Sequence, residues 1–115
     1  MTWANINSSM GRAALFYAKE NRLRKILTEN LTHPTIAGAT AAGSVITMTD
    51  GTWTNSDSLE NLWKADGVVI SGETGSTYTT ANPGDIGKAI TGWQRSVNVQ
   101  NTSPWIRSAT SIVVT

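Results

Sequence analysis

The chain of 115 residues lacks cysteine altogether and has one histidine and three prolines. Without cysteine it can form no disulfide, no thiol nucleophile and no zinc site ligated by sulfur. It also lacks a strong charge of either sign, since its formal net charge is +1, which does not suit a strongly basic nucleic-acid binder. Hydrophobic residues make up 39% of the chain, too many for a typical disordered composition. We therefore expect a folded protein held together by packing alone.

Long hydrophobic runs are also missing. No stretch approaches the roughly 18 apolar residues that read as a membrane span. The longest apolar run near the N-terminus, residues 13–18, has a charged residue on each side and is shorter than the core of a secretory signal. We expect no signal peptide, no contact with membranes and assembly in the cytoplasm.

The composition divides the chain near Pro34. Residues 1–33 hold five basic and two acidic side chains, whereas the rest hold four basic and six acidic ones. From Ser8 or Ser9 to about Leu31 the sequence favours a helix, which would end before Pro34 because proline disfavours helical geometry in the preceding residue. The sequence thus predicts a helical anchoring or oligomerisation arm over residues 1–34 and a second unit over residues 35–115.

Apolar side chains recur at helical spacing along the arm, but Lys19 and Glu20 interrupt them. The pattern supplies two heptads at most, too few for a coiled coil. The apolar stripe needs a surface, which is the chain's own domain, another copy of the chain or a larger assembly. We expect a homo-oligomer, with a trimer as one arrangement. The basic residues do not form one face, which argues against nucleic acid. The residues predicted to contact a partner are Phe16, Leu23, Ile26 and Leu27, with Arg12, Lys19 and Arg24.

After Pro34 the sequence is rich in threonine, serine, glycine, valine and isoleucine, which is typical of β-structure. Short apolar runs are separated by turn residues; Asp66-Gly67 has the composition of a two-residue hairpin. Seven short strands in about 80 residues indicate an antiparallel sandwich. The predicted strands are residues 35–39, 44–49, 60–65, 68–71, 76–80, 88–97 and 105–114.

Residues 51–91 carry an ordered motif: Gly-Thr-Trp, then Trp-Lys-Ala-Asp-Gly-Val-Val-Ile-Ser-Gly-Glu-Thr-Gly-Ser-Thr-Tyr-Thr, then Asp-Ile-Gly-Lys-Ala-Ile-Thr. With the later Asn98, this motif resembles the bacterial and phage immunoglobulin-like domains of virion surface, fibre and tail proteins. The resemblance covers about residues 35–115 and implies an immunoglobulin-like Greek-key β-sandwich. It implies that Trp63 is the buried tryptophan of the central strand and that residues 85–87 form a corner. The residues expected in the structural core are Trp53, Trp63, Tyr78, Asp85, Gly87 and Ile90.

One region departs from that family, which usually continues with alternating apolar residues after Ile90. If Ile90 points inward, Gly92, Gln94 and Ser96 point inward too, and Trp93, Arg95 and Val97 face outward. Either a bulge shifts the alternation, or Trp93 is exposed for contact. Tryptophan beside arginine is typical of an interface centre. The candidate contact residues are Trp93, Arg95 and Trp105.

Residues suited to catalysis do not form a recognisable set. His33 stands alone, and no pattern nominates a carboxylate pair among the eight acidic residues. The segment Gly72 to Gly75 precedes a strand and lacks a lysine after the glycine, unlike a phosphate-binding loop. We expect no enzymatic activity, no metal and no cofactor.

The resemblance implies a structural protein of a phage virion, assembled in the host cytoplasm and released without a signal peptide. The expected function is capsid decoration, as a head-fibre or cement protein, with the arm bound to the major capsid protein or another virion protein. A tail or neck accessory is the alternative within this class. A carbohydrate-binding module for host surface glycans is the alternative from another class.

Overall fold

The computed structural model of the protein describes residues 27–115, which contain nine β-strands and no helix. The prediction of a mainly β structure is confirmed, and each of the seven predicted strands is present. The strands β1 and β4 are additional to that prediction. The strand bounds are β1 Asn30–Thr32, β2 Thr35–Gly38, β3 Val45–Thr49, β4 Thr52–Trp53, β5 Ser58–Ala65, β6 Val68–Val69, β7 Thr77–Thr79, β8 Ala89–Val97 and β9 Ile106–Val113.

The strands form three antiparallel sheets with the orders β6-β5-β8-β9, β2-β3-β7 and β1-β4. The longest pairing joins β5 to β8 without interruption, from Ser58 opposite Val97 to Ala65 opposite Ile90. β5 and β6 are joined by the turn Asp66-Gly67, whose φ angles are 48° and 79°. A two-residue hairpin of the primed type needs positive φ at both positions, so the predicted turn is present.

An apolar core lies between the three-stranded and four-stranded sheets. Trp63 on β5 is fully buried, and its ring centroid lies 5.8 Å from that of Tyr78 on β7. The Trp63 Nε1–H donates a hydrogen bond to the Gly75 carbonyl at 3.0 Å, so the buried indole leaves no polar group unpaired. The other buried apolar residues are Ile36, Ile46, Met48, Ala65, Ile90, Ile112 and Val114.

The loop after β7 is fastened to the core by Asp85. This buried carboxylate accepts hydrogen bonds from the Tyr78 hydroxyl and from the Ala81 N–H at 2.8 Å. Burial, together with the nearby Asp85 carboxylate, raises the pKa of Tyr78 above its ordinary value of 10.0. Gly87, expected in the core, is instead exposed with φ of 85°. Glycine suits this position because it adopts a positive φ without the strain that a Cβ atom would cause.

The inner face of β8 changes from apolar to polar along its length. The buried positions of this strand are Ile90, Gly92, Gln94 and Ser96. Ile90 is the only one of them with a large apolar side chain. The alternation predicted from Ile90 is therefore present without a shift. Gly92 leaves room for the core, since a Cβ atom there would come within 2.6 Å of Met48 Cε.

Gln94 is fully buried, and all its hydrogen-bonding capacity is used. Its Oε1 accepts from the Gly51 N–H at 2.9 Å and from Trp53 Nε1–H at 3.2 Å. Its Nε2 donates to Asp50 Oδ1 at 2.8 Å and to Asn61 Oδ1 at 3.0 Å. Gln94 thus joins β5, β8 and the chain around β4, and half-buried Trp53 covers this end of the domain.

The predicted helix end at Leu31 is wrong, because Asn30–Thr32 form strand β1 beside β4. Long-range pairing overrides the local helical preference here. The Glu29 N–H donates to Thr54 Oγ1 and the Thr54 N–H donates to the Glu29 carbonyl, each at 2.9 Å. A hydrogen bond of 2.8 Å joins the hydroxyls of Thr32 and Thr52. The rest of the predicted helix lies outside the described residues.

Replacing Tyr78 with phenylalanine tests the contact to Asp85. The variant should lose about 1–3 kcal/mol of unfolding free energy at neutral pH, because a buried carboxylate loses a donor. The raised pKa of Tyr78 means that the folded state holds the phenol proton more tightly than the unfolded chain does. Its contribution to stability is complete below about pH 10 and falls as the pH rises further. Urea unfolding from about pH 8 to pH 11 should therefore show a shallower alkaline decline for Tyr78→Phe; parallel curves would contradict this account.

Replacing Gln94 with leucine tests the buried polar junction. Leucine fills similar space but leaves the Gly51 N–H and the Trp53 Nε1–H without their acceptor, so the unfolding free energy should fall by about 2–4 kcal/mol. Exposed Gln100 offers the matched control, and Gln100→Leu should change stability by less than about 0.5 kcal/mol. Denaturant titration measures both, and equal effects would show that Gln94 has no special role.

Candidate functional site

The outer face of the four-stranded sheet carries the three candidate contact residues. The unbroken pairing of β5 with β8 sets Trp93 opposite Leu62 and Arg95 opposite Glu60. The irregularity lies in β9, where Arg107 is opposite Trp93 but Ser111 is opposite Thr91. The predicted bulge near Gly92 therefore belongs to the partner strand, and Trp93 keeps its outward position.

We call the outward side chains around Trp93 the tryptophan face. On each strand they share a side because alternate residues point the same way, and directly paired residues share a face across strands. The tryptophan face consists of Glu60, Leu62 and Lys64 from β5, Trp93 and Arg95 from β8, and Trp105 and Arg107 from the chain at β9.

Trp93 is half-buried and held in place on the tryptophan face. The Lys64 ammonium lies 4.0 Å from the centroid of its ring, within the range of a cation–π interaction. The Trp93 Nε1–H donates to Thr91 Oγ1 at 3.0 Å. The indole is therefore oriented from two sides before any partner arrives.

Arg95 links the other end of the tryptophan face. Its Nε–H donates to Glu60 Oε1 at 2.6 Å, and its guanidinium carbon lies 4.4 Å from the ring centroid of Trp105. Both members of the ion pair are partly exposed, so the pair adds little to stability; its main effect is to fix the guanidinium plane. A shallow depression of about 390 Å³ lies here, lined by Glu60, Arg95 and Trp105 with Leu59, Asn61, Leu62 and Thr74.

Charge is strongly sorted over the described part of the chain. Residues 27–115 hold four basic and seven acidic side chains, a net charge of −3 with His33 neutral. Three of those four basic residues, Lys64, Arg95 and Arg107, lie on the tryptophan face, whereas six of the seven carboxylates lie elsewhere. The tryptophan face is thus a cationic and aromatic patch on an acidic domain.

The structure brings together Trp93, Arg95 and Trp105, the predicted contact residues. Sequence reasoning missed Lys64 and Arg107. The outward position of Lys64 could have been predicted, because Lys64 follows the inward Trp63 on the same strand. The position of Arg107 could not, because it depends on the irregularity in β9.

The predicted anchor residues are placed differently. Phe16, Leu23 and Ile26, together with the basic residues of that group, lie outside the described residues. Leu27 is half-buried in a bend, not a helix. Its carbonyl accepts hydrogen bonds from Thr54 Oγ1 at 3.2 Å and Asn55 Nδ2 at 3.3 Å. Leu27 therefore belongs to the hydrogen-bonded entry into the β-structure.

A metal site and a membrane-spanning helix are both absent from residues 27–115. There, no group of three or more histidine, aspartate or glutamate side chains could hold a metal ion. No helix in this range has the length and apolar character to cross a bilayer. Comparisons of the chain with protein-family models, curated proteins and solved structures gave no match.

A double-mutant cycle tests whether the tryptophan face is pre-formed in solution. Lys64→Met and Trp93→Leu should show a coupling free energy of about 0.5–1 kcal/mol in unfolding experiments, since their cation–π contact is present only when both side chains are. Lys88 lies away from this face, so a cycle of Lys88→Met with Trp93→Leu should give no coupling. The same coupling in both cycles would mean that the Lys64 contact does not form.

Proposed function

We propose that the protein is a non-enzymatic structural protein of a phage virion, most simply a capsid decoration protein of the head-fibre or cement type. Residues 1–26 attach it to the major capsid protein or another virion protein, and the β domain projects from the particle. A tail or neck accessory with the same division of labour is the alternative. The phage assignment is supported by the motif of residues 51–91, which resembles immunoglobulin-like domains of virion proteins.

The order of the strands supports the finer proposal of an immunoglobulin-like Greek-key sandwich. One sheet has the order β2-β3-β7 and the other β6-β5-β8-β9. The chain passes between these sheets after β3, after β6 and again after β7, as a Greek-key sandwich requires. Buried Trp63 on β5 lies at the centre of this arrangement.

The observation that carries the attachment proposal is the way the chain enters the β domain. The Thr28 N–H donates to Asn101 Oδ1 at 2.9 Å, and Asn101 Nδ2 donates back to the Thr28 carbonyl at 3.2 Å. The buried Thr28 hydroxyl donates to Ser96 Oγ at 2.7 Å. The chain thus joins the β domain at a fixed point, from which residues 1–26 lead to the proposed partner.

The apolar core supports the same division. Its buried members among the described residues run from Ile36 to Val114, and no buried side-chain polar atom there lacks a hydrogen-bond partner. A domain whose core is buried and whose buried polar atoms are hydrogen-bonded needs no further helix or strand over its core. For this reason we propose that residues 1–26 pack against a partner and not against this domain.

The tryptophan face favours a second function, adhesion to carbohydrate on the host surface. The face carries two half-buried indoles, each stacked with a cation, and a shallow depression beside Trp105 that is lined in part by Thr74. Aromatic surfaces with polar groups at their edges suit ligands that combine apolar faces with hydroxyls. Decoration and adhesion are compatible, since they use different parts of the chain.

Two truncations test the attachment proposal. Residues 27–115 should unfold within a few degrees of the full chain, whereas residues 35–115 should be destabilised by about 2 kcal/mol or more because β1 and the Thr28 hydrogen bonds are lost. On mixing with particles assembled without this protein, the full chain should bind and residues 27–115 should not. Thermal unfolding and co-sedimentation measure the two outcomes.

A matched pair of substitutions in the full chain separates attachment from folding. Leu23→Glu should weaken co-sedimentation with particles, because it places a charge in the predicted apolar stripe. Asn21→Glu adds the same charge about 200° away on a helical wheel and should leave binding intact. Undiminished binding by residues 27–115 would refute the anchoring role of the N-terminal segment.

A further inference from the structure

We propose that the tryptophan face binds acidic polysaccharide, with Arg95, Arg107 and Lys64 receiving its carboxylates. This inference rests on the second proposed function and names the class of glycan. It does not depend on the attachment of residues 1–26 to a particle.

The basic residues of the described domain are concentrated on the tryptophan face. Within residues 27–115 a net charge of −3 would repel an anionic ligand, yet three of the four basic side chains gather on this single face. The one carboxylate of the tryptophan face, Glu60, is already bonded to Arg95. Complementary charge steers a ligand and fixes its orientation more than it adds to affinity. An acidic saccharide would therefore be directed to this face and away from the rest of the domain.

The Arg95 guanidinium has hydrogen-bond donors left for a ligand. Glu60 engages its Nε–H, and its terminal amino groups have no hydrogen-bond acceptor among the described residues. A guanidinium presents five donors in a planar fork that matches a carboxylate. Because stacking on Trp105 already fixes its plane, little side-chain entropy is lost when a second carboxylate binds.

The shape of the surface favours a saccharide over a protein. The centre of a protein interface is usually a well-packed pocket from which water is excluded. Here the indoles are half-buried and already stacked, and the depression beside Trp105 is shallow and lined in part by Thr74. Hydroxyl, amide and carboxylate groups of a sugar chain can be met on such a surface without rearrangement.

Density of charge argues against nucleic acid. A single strand carries a phosphate at each nucleotide, and binding such a chain requires a groove of many cations. Three cations on a domain with a net charge of −3 do not form such a groove. Uronic acids carry a carboxylate on each sugar, and a carboxylate matches the planar fork of a guanidinium.

The experiment compares a charged ligand with its uncharged methyl ester. The full chain is titrated with an oligogalacturonate and with its methyl ester, and binding is followed by calorimetry and by the indole N–H signals in NMR spectra. The acid should bind at least about tenfold more tightly at low salt, and this preference should fall as added salt screens the cations. Signals of Trp93 and Trp105 should shift, and that of Trp63 should not.

Matched variants locate the site. The double variant Arg95→Gln with Arg107→Gln should bind the acid about tenfold more weakly. Lys88→Gln removes the remaining basic residue of the described part and should bind within about twofold of the unmodified protein. Thermal unfolding checks that the double variant is folded; if it is not, the salt dependence and the NMR shifts of the unmodified protein still decide the matter.

Each result has a defined meaning. Equal affinity for the acid and its ester would overturn the acidic preference and leave carbohydrate adhesion standing, whereas no binding of either would overturn both. Equally tight binding of oligothymidylate or of polyglutamate, at the same number of charges, would replace the proposal with a nucleic-acid or an acidic-protein partner. Particle binding by the double variant should be unchanged, so failure here does not bear on attachment.

Discussion

The pairing of β5 with β8 is the constraint on which both surfaces of the four-stranded sheet depend. Its unbroken register sets Asn61 opposite Gln94 on the inner side and Glu60 opposite Arg95 on the outer side. A slip of one residue would exchange the two sides along the whole strand. In β8 it would turn Trp93 and Arg95 inward and expose Gln94, whose four hydrogen bonds form only at its present position. Burial of the inner side therefore holds the tryptophan face in place.

The polar part of the interior explains how one sheet serves two roles. Beyond Ile90 the inner side of β8 is closed by hydrogen bonds, with Ser96 accepting from Thr28 at 2.7 Å. On the other side of the same strand, Arg95 stacks on Trp105. The entry of the N-terminal segment and the tryptophan face are thus separated by the thickness of one sheet.

Prediction succeeded where local pattern and burial agree, and failed where distant residues decide. The seven strands of residues 35–115 were predicted because apolar alternation and turns such as Asp66-Gly67 report on the chain's own geometry. Strand β1 was missed, and the predicted helix end at Leu31 was wrong. Asn30–Thr32 becomes a strand through partners at least 20 positions away, Thr52 and Trp53. Gly87 was expected in the core together with Asp85. It is exposed instead, and the loop needs glycine there because the backbone has a positive φ.

The sequence by itself determined the β class and narrowed β8 to two alternatives, outward Trp93 and Arg95 or a bulge that shifts the alternation, since a strand places successive side chains on opposite sides. The tertiary structure decided for outward Trp93 and Arg95. Only the tertiary structure decided that Lys64 stacks on Trp93 and that Arg107 lies beside it. It also decided that three cations gather on one face of an acidic domain. Strand partners and the irregularity in β9 determine those positions. They arise from packing across the whole sheet, and no local stretch of sequence encodes them.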